Sequence, residues 1–172
     1  MNILTNDPSF TAWGWAVIDK DNKIIDCGCI KTAPEQKKRR IRASDDRERR
    51  SIEITTKLIK LIQKYDISFI ISESPHGSQN ARAAIMIGIV TGIITAISCC
   101  MEIPIETYSE QDAKKVLLGK KAATKDDIIE AIDRLYDVEW TDIKYIDESV
   151  ADAMAIYNVA LQQSSMLKIL RK

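Results

Sequence analysis

Four carboxylates stand where an element of regular structure is expected to end or to turn. Asp7 closes a first apolar run, residues 2–6, and Glu73 closes another, residues 67–72, just ahead of Pro75 and Gly77. Glu148 and Asp152 are four residues apart, which places them one turn apart on one helix face. Carboxylates delivered from separate elements to one point can hold two divalent ions about 4 Å apart, the arrangement that hydrolyses phosphodiesters. Taken singly, each has an ordinary use: an acid at a strand end forms turns or caps, and Glu148 is an acid near a helix start. Asp152 is different, because Val150, Ala151, Ala153, Met154 and Ala155 surround it with small, mostly apolar surface. An unpaired carboxylate is costly there, so a metal or a cationic partner is expected.

The elements that must position these groups follow from periodicity. Residues 2–6, 11–19 and 23–31 read as three strands, the last two joined in a hairpin at Asp21-Asn22. Residues 32–43 are polar and basic, include Pro34 and show no apolar period, and are expected to form a mobile loop. Ser44 is the expected N-cap of a helix with Asp45, Asp46 and Glu48 in its first turn and a buried stripe of Ile52, Thr55, Leu58, Ile59 and Ile62. The apolar run 67–72 suits a buried strand. A long helix over 78–100, a strand over 103–108, and helices over 111–118, 125–136 and 147–161 complete the chain. Strands followed by alternating strands and helices predict a mixed α/β sheet covered by helices. If the strands ending at Asp7 and Glu73 are parallel neighbours, both acids emerge at one sheet edge.

Residues 83–101 are uncharged and long enough to span a bilayer, and Gly88 with Gly92 forms a GxxxG pair. Thr91, Thr95 and Ser98 inside the segment, and the lack of Trp or Tyr at its ends, argue for a helix of a soluble protein instead. Such a helix must be covered on most of its surface. A second copy of the chain, meeting it at Gly88 and Gly92, would do so; close packing within one subunit is the alternative.

Size and composition set the frame. At 172 residues and 45% hydrophobic content the chain reads as one domain with one continuous core. Formal net charge is zero, but it is segregated: Lys37, Lys38, Arg39, Arg40 and Arg42 form one basic cluster, Lys114, Lys115, Lys120, Lys121 and Lys125 another, while acids concentrate over 126–152. Basic flanks around an acidic pocket suit a nucleic-acid phosphate chain despite the neutral total. Cys27, Cys29, Cys99 and Cys100 form no CxxC pair, and His76 is the sole histidine, so no zinc site is expected. Reduced, buried or half-buried thiols and no leading signal segment point to the cytoplasm.

Four blocks then carry a resemblance. The opening Asp7-Pro8-Ser9-Phe10-Thr11-Ala12-Trp13-Gly14-Trp15-Ala16 resembles the RuvC start, a strand ending in Asp-Pro-Gly/Ser followed by a threonine, a glycine and a return strand. Glu73-Ser74-Pro75-His76-Gly77-Ser78-Gln79-Asn80-Ala81-Arg82-Ala83-Ala84 is similar to a Glu-x-Pro-x-Gly-Ser-Gln-Ser-Ala-Arg-Ala-Ala pattern of bacteriophage RuvC-like resolvases. Gly119-Lys120-Lys121-Ala122-Ala123-Thr124-Lys125 resembles their Gly-Lys-Lys-x-Ala-x-Lys segment, and Asp147-Glu148-Ser149-Val150-Ala151-Asp152-Ala153 their closing Asn/Asp-Glu-His-x-Ala-Asp-Ala. The blocks run in family order over nearly the whole chain. The chain departs from the pattern at Ser149, where relatives place a histidine or aspartate.

The resemblance implies an RNase H-like fold, a mixed five-stranded sheet flanked by helices. It further implies a Holliday junction resolvase in which Asp7, Glu73, Glu148 and Asp152 hold two Mg²⁺ or Mn²⁺ ions. A homodimer would nick opposing strands of a four-way junction symmetrically and leave 5′-phosphates; a phage gene expressed in a bacterial cytoplasm is the implied source. Gln79, Asn80 and Arg82, at a helix start where amides are free, and Lys120, Lys121 and Lys125 are the expected DNA contacts, with a polar cap and a solvated face as their ordinary readings. Phe10, Trp13 and Trp15 read as packing residues. The competing functions are a nuclease with broader flap or fork specificity, a protein that binds junctions without cutting, and an actin-like ATPase; the last needs two such domains and more than the six glycines present.

Overall fold

Successive side chains of a strand point to opposite sides of a sheet, and in the first strand both sides are apolar. Ile3 and Leu4 are each fully buried, in different clusters. A strand of this kind must lie between two layers. The computed structural model, which describes residues 1–35, 41–120 and 122–171, places it at the centre of a five-stranded sheet. The strands are β1 (Asn2–Asp7), β2 (Ala12–Asp19), β3 (Ile24–Lys31), β4 (Ile67–Glu73) and β5 (Ile105–Tyr108). Their order is β3-β2-β1-β4-β5, with β1 antiparallel to β2, β2 antiparallel to β3, and β1, β4 and β5 mutually parallel. The hairpin turns at Asp21-Asn22 as expected, with Asn22 in the left-handed region at φ 67° and the Asp19 carboxylate accepting from the amides of Asp21 and Lys23.

The helices are α1 (Ala43–Lys64), α2 (Ala81–Cys100), α3 (Glu110–Leu118), α4 (Lys125–Leu135), α5 (Lys144–Gln163) and α6 (Ser165–Leu170). One sheet face, carrying Ile3, Ala16, Ile18, Phe69 and Ile71, packs against α5 with α3 and α4 beside it. The other, carrying Leu4, Trp13, Val17 and Ile70, packs against α1 and α2. Phe10 and Trp13 are buried in this second layer as packing residues, and Trp13 donates its indole N–H to Asn6 Oδ1 at 3.0 Å.

Several boundaries differ from expectation for identifiable reasons. Ser44 is not the cap of α1: the helix begins at Ala43 behind Arg42, and the Ser44 hydroxyl donates to Asp45 instead. The buried stripe of α1 is Arg50, Ile54, Leu58, Leu61 and Ile62, whereas Ile52 is 59% exposed; a single apolar residue on a long polar helix does not set its phase. α2 begins at Ala81, not Ser78, because Asn80 caps it. α5 begins at Lys144, a turn before Asp147, whose buried carboxylate accepts from the amide and hydroxyl of Thr141. All four cysteines are free thiols, but Cys99 and Cys100 are exposed rather than buried. Of the basic loop, Gln36 to Arg40 lie outside the described residues; its flanks are tied down by Thr32, Glu35 and Arg49, which bond to Phe10, Asp46 and Ala33.

Candidate active site

Register decides where the acids emerge. β1 and β4 are parallel with Asn6 opposite Ser72, so Asp7 and Glu73 are the next residues along two adjacent strands. Parity decides the face: Ile3, Thr5 and Asp7 share one side, as do Phe69, Ile71 and Glu73, and this is the side covered by α5. The expectation that both carboxylates leave one sheet edge is met.

α5 brings the third carboxylate. It lies directly on the sheet, because Thr5 donates its hydroxyl to the Ala153 carbonyl at 2.6 Å. Gly14, the partner of Asp7 across the β1–β2 ladder, has no side chain where one cannot be held: a Cβ there would stand 2.0 Å from the Ser149 carbonyl oxygen. That close approach seats Asp152, 8% exposed, beside Asp7 and Glu73. In the sequence, Gly14 appears only as part of a motif; its reason is the helix lying on top of it.

The electrostatics follow from this convergence. Burial, then Asp152, and more weakly Glu110, push Asp7 up to about 7, against the relief given by Lys125. Burial, then Asp7 and Asp152, push Glu73 up to about 8. Burial also raises Asp152, although Lys125 donates directly to its Oδ2. Burial works against the Lys125 ammonium, yet Asp152, Asp7 and Glu110 together hold it above the ordinary lysine range. The pocket thus gathers more negative charge than its own lysine balances, a donor set suited to a hard cation with oxygen ligands. Among the described residues no three acidic, thiol or imidazole side chains already converge to ligation distance, so a cation would draw these carboxylates closer.

The other sequence candidates fall into distinct places. Glu148 lies 3.8 Å from the exposed Lys144 and is not among the leading charges acting on the three clustered acids. The Ser149 hydroxyl donates to the Tyr145 carbonyl at 2.7 Å and faces that of Ala12 at 3.4 Å. Asn80 is the α2 cap, its Oδ1 accepting from the amides of Arg82 and Ala83, while Gln79 and Arg82 are exposed beside it. Lys120 lies 3.8 Å from Asp127, and Lys121 is outside the described residues. Lys125 belongs to the acidic pocket itself. His76 is exposed on the loop after β4. One acid near the pocket, Glu110 at the start of α3, escaped the sequence reading; the only signal for it is its place two residues after the strand that pairs with β4.

Three comparisons with known proteins bear on this arrangement. The sequence pattern of the family described as crossover junction endodeoxyribonuclease RuvC matches residues 3–159. The chain is 24% identical over 156 residues to the crossover junction endodeoxyribonuclease RuvC of Ehrlichia chaffeensis, covering 90% of this chain and 94% of that one. It is 27% identical over 169 residues to that of Caldicellulosiruptor saccharolyticus, covering 96% and 95%. Among solved structures it is similar to Thermus thermophilus RuvC in complex with Holliday junction substrate, with a TM-score of 0.77 at 16% identity over 96% of each chain. It is also similar to the yeast mitochondrial Holliday junction resolvase, with a TM-score of 0.64 at 13% identity over 98% of this chain and 81% of that one. The architecture is therefore the RNase H-like one, with its mixed five-stranded sheet and flanking helices.

Proposed function

Because the chain belongs to the RuvC family of crossover junction endodeoxyribonucleases, we propose that it cuts four-way DNA junctions by metal-dependent phosphodiester hydrolysis. One observation carries this reading: Asp7, Glu73 and Asp152, from two parallel strands and a helix, are held together at a buried edge with more negative charge than Lys125 offsets. Mg²⁺ or Mn²⁺, two per site, fit such oxygen donors. Bound there, the ions would supply the acidity that activates water and stabilises the departing 3′ oxygen, leaving a 5′-phosphate. Glu148 joins the set only by leaving Lys144.

The remaining work belongs to the chain's own groups. β1 and β4 fix two carboxylates at one register position, and α5, seated on Gly14, fixes the third. Lys125 keeps Asp152 neutralised and offers an ammonium to an incoming phosphate. Gln79 and Arg82, exposed at the Asn80-capped start of α2, and Lys120 would grip the phosphate chain, which positions DNA without reading its sequence.

The proposal includes a homodimer through α2. That helix is apolar enough and long enough to cross a membrane, but one of its faces packs on α1 and the sheet through Val90, Ile94 and Ile97. Among the described residues nothing covers its opposite face: Gly88 and Gly92 have nothing within 4 Å of a would-be Cβ, and Ile85 is 49% exposed. Close packing of these glycines inside one subunit is thereby set aside, and a second copy is the occupant that would give two cutting sites on one junction. The bacterial cytoplasm, with a phage as the gene's source, completes the reading.

Labelled four-way junction, flap and linear duplex, each incubated with the protein in Mg²⁺, Mn²⁺ or EDTA, test it. Paired symmetric nicks on the junction alone, absent in EDTA, are expected. Equal cutting of flap and junction would leave a nuclease of broader branched-DNA specificity. Ser149 favours a second reading, a junction-binding protein that does not cut, and tight binding without cleavage under either metal would select it.

A further inference from the structure

Two hard divalent ions carry four positive charges, and three carboxylates supply three negative ones. Glu148 is engaged by Lys144, and the Ser149 hydroxyl is directed at main-chain carbonyls. The fold, however, delivers another acid to the same edge. β5 pairs with β4 so that Tyr108 lies opposite Glu73, and the Tyr108 carbonyl accepts from the Ser74 amide at 2.7 Å. Ser109 then caps α3 by accepting from Asp112, and Glu110 is the first residue of that helix. α3 packs on α5, the helix that carries Asp152. Glu110 is thus set between the strand end that bears Glu73 and the helix that bears Asp152.

We infer that Glu110 supplies a carboxylate to the divalent-cation site, in the role that Glu148 and Ser149 are turned away from. The inference rests on the metal-dependent reading above and adds a donor that the acidic motifs do not contain. Three observations support it. Glu110 starts its helix two residues past Tyr108, the register partner of Glu73, and that helix packs on α5, which carries Asp152. The Glu110 side chain is one-third exposed, so it can turn without disturbing the core. Its carboxylate is paired within its own helix, with Lys114 at 2.5 Å, so a cation need displace only that one lysine. On taking a cation, Glu110 would release Lys114, a 18% exposed lysine on the same helix, to an incoming phosphate.

Mn²⁺ binding to the DNA-free protein, followed by titration calorimetry, separates the possibilities. Wild type, Asp7→Asn, Glu110→Gln, Glu148→Gln and Lys114→Gln are compared, with circular dichroism confirming that each is folded. Glu110→Gln is expected to weaken Mn²⁺ binding by about tenfold or more or to remove one binding equivalent, with Glu148→Gln within about twofold of wild type. Unchanged Mn²⁺ binding in Glu110→Gln beside lost binding in Asp7→Asn would overturn this inference and leave the metal-dependent reading intact. Unchanged binding in both would overturn the two together. If Glu110→Gln binds Mn²⁺ normally but loses as much junction cleavage as Lys114→Gln, Glu110 only holds the lysine and the inference falls.

Discussion

α2 and α5 are both 20-residue helices on opposite faces of one sheet, and they have opposite fates. α5 contains several charged residues and is buried at twelve positions, from Asp147 to Ala160; α2 is uncharged after Arg82 and is buried at four. Apolar content therefore does not tell which helix lies at the centre of the subunit. α5 is central because small residues, Gly14 beneath and Ala151, Ala153 and Ala155 along it, let it sit on the strands. α2 is apolar on a face that, among the described residues, nothing covers at Gly88, Gly92 and Ile85. α5 seats Asp152 beside Asp7 and Glu73, and α2 presents the face on which the proposed dimer would form.

The strongest way to break that contrast is at the acids themselves. Asp7→Asn and Glu73→Gln should each cut junction cleavage by about two to three orders of magnitude, measured under single-turnover conditions, while raising the thermal midpoint in EDTA at pH 8. A loss of activity accompanied by a loss of stability would mean that these carboxylates are structural. Next comes the seat of α5. Gly14→Ala places a methyl group on the Ser149 carbonyl, and should destabilise the fold by about 1–3 kcal/mol by urea unfolding while displacing Asp152 enough to abolish cutting. A tolerated alanine would show that the two elements are not held in contact.

On the α2 side the fold should survive and the assembly should not. Ile85→Glu is expected to give a folded monomer by sedimentation velocity, with junction cleavage reduced to uncoupled single nicks. A dimer that persists would move the interface elsewhere. The smallest effect is pH dependence without metal. Asp7 and Glu73 have folded values of about 7 and about 8, above their unfolded values near 4. The stability they contribute is complete below about pH 4 and is lost as pH rises through 7 and 8. The thermal midpoint in EDTA should fall measurably between pH 5 and 8.5, and added Mn²⁺ should reverse the fall. A midpoint that rises over this range would contradict the placement of the two acids.

Much of this was legible in the chain. Strand parity and the runs ending at Asp7 and Glu73 locate two acids, and the small-residue helix around Asp152 locates a third. What stayed hidden depends on contacts between distant elements. Nothing near Gly14 in sequence shows that Ser149 will rest on it. Helical spacing puts Glu148 and Asp152 on neighbouring turns, but not whether Lys144 will capture Glu148. Lys125 reads as one of a surface cluster until α4 is placed against α5. Glu110 lies in no motif, and only the pairing of β5 with β4 brings it to the acidic edge. Likewise Ile52 looked like a core residue because local periodicity cannot tell which phase of a polar helix meets the sheet.

Asp7, Glu73 and Asp152 are proposed to form a cation-dependent cutting site for four-way DNA. An immobile four-way junction labelled on opposing strands, incubated with wild type and with Asp7→Asn in Mn²⁺, tests that claim most directly. Symmetric nicks on both labelled strands by wild type, with 5′-phosphate ends, and intact junction bound by Asp7→Asn are the expected result. Intact junction with both proteins, or equal cutting by Asp7→Asn, would contradict it.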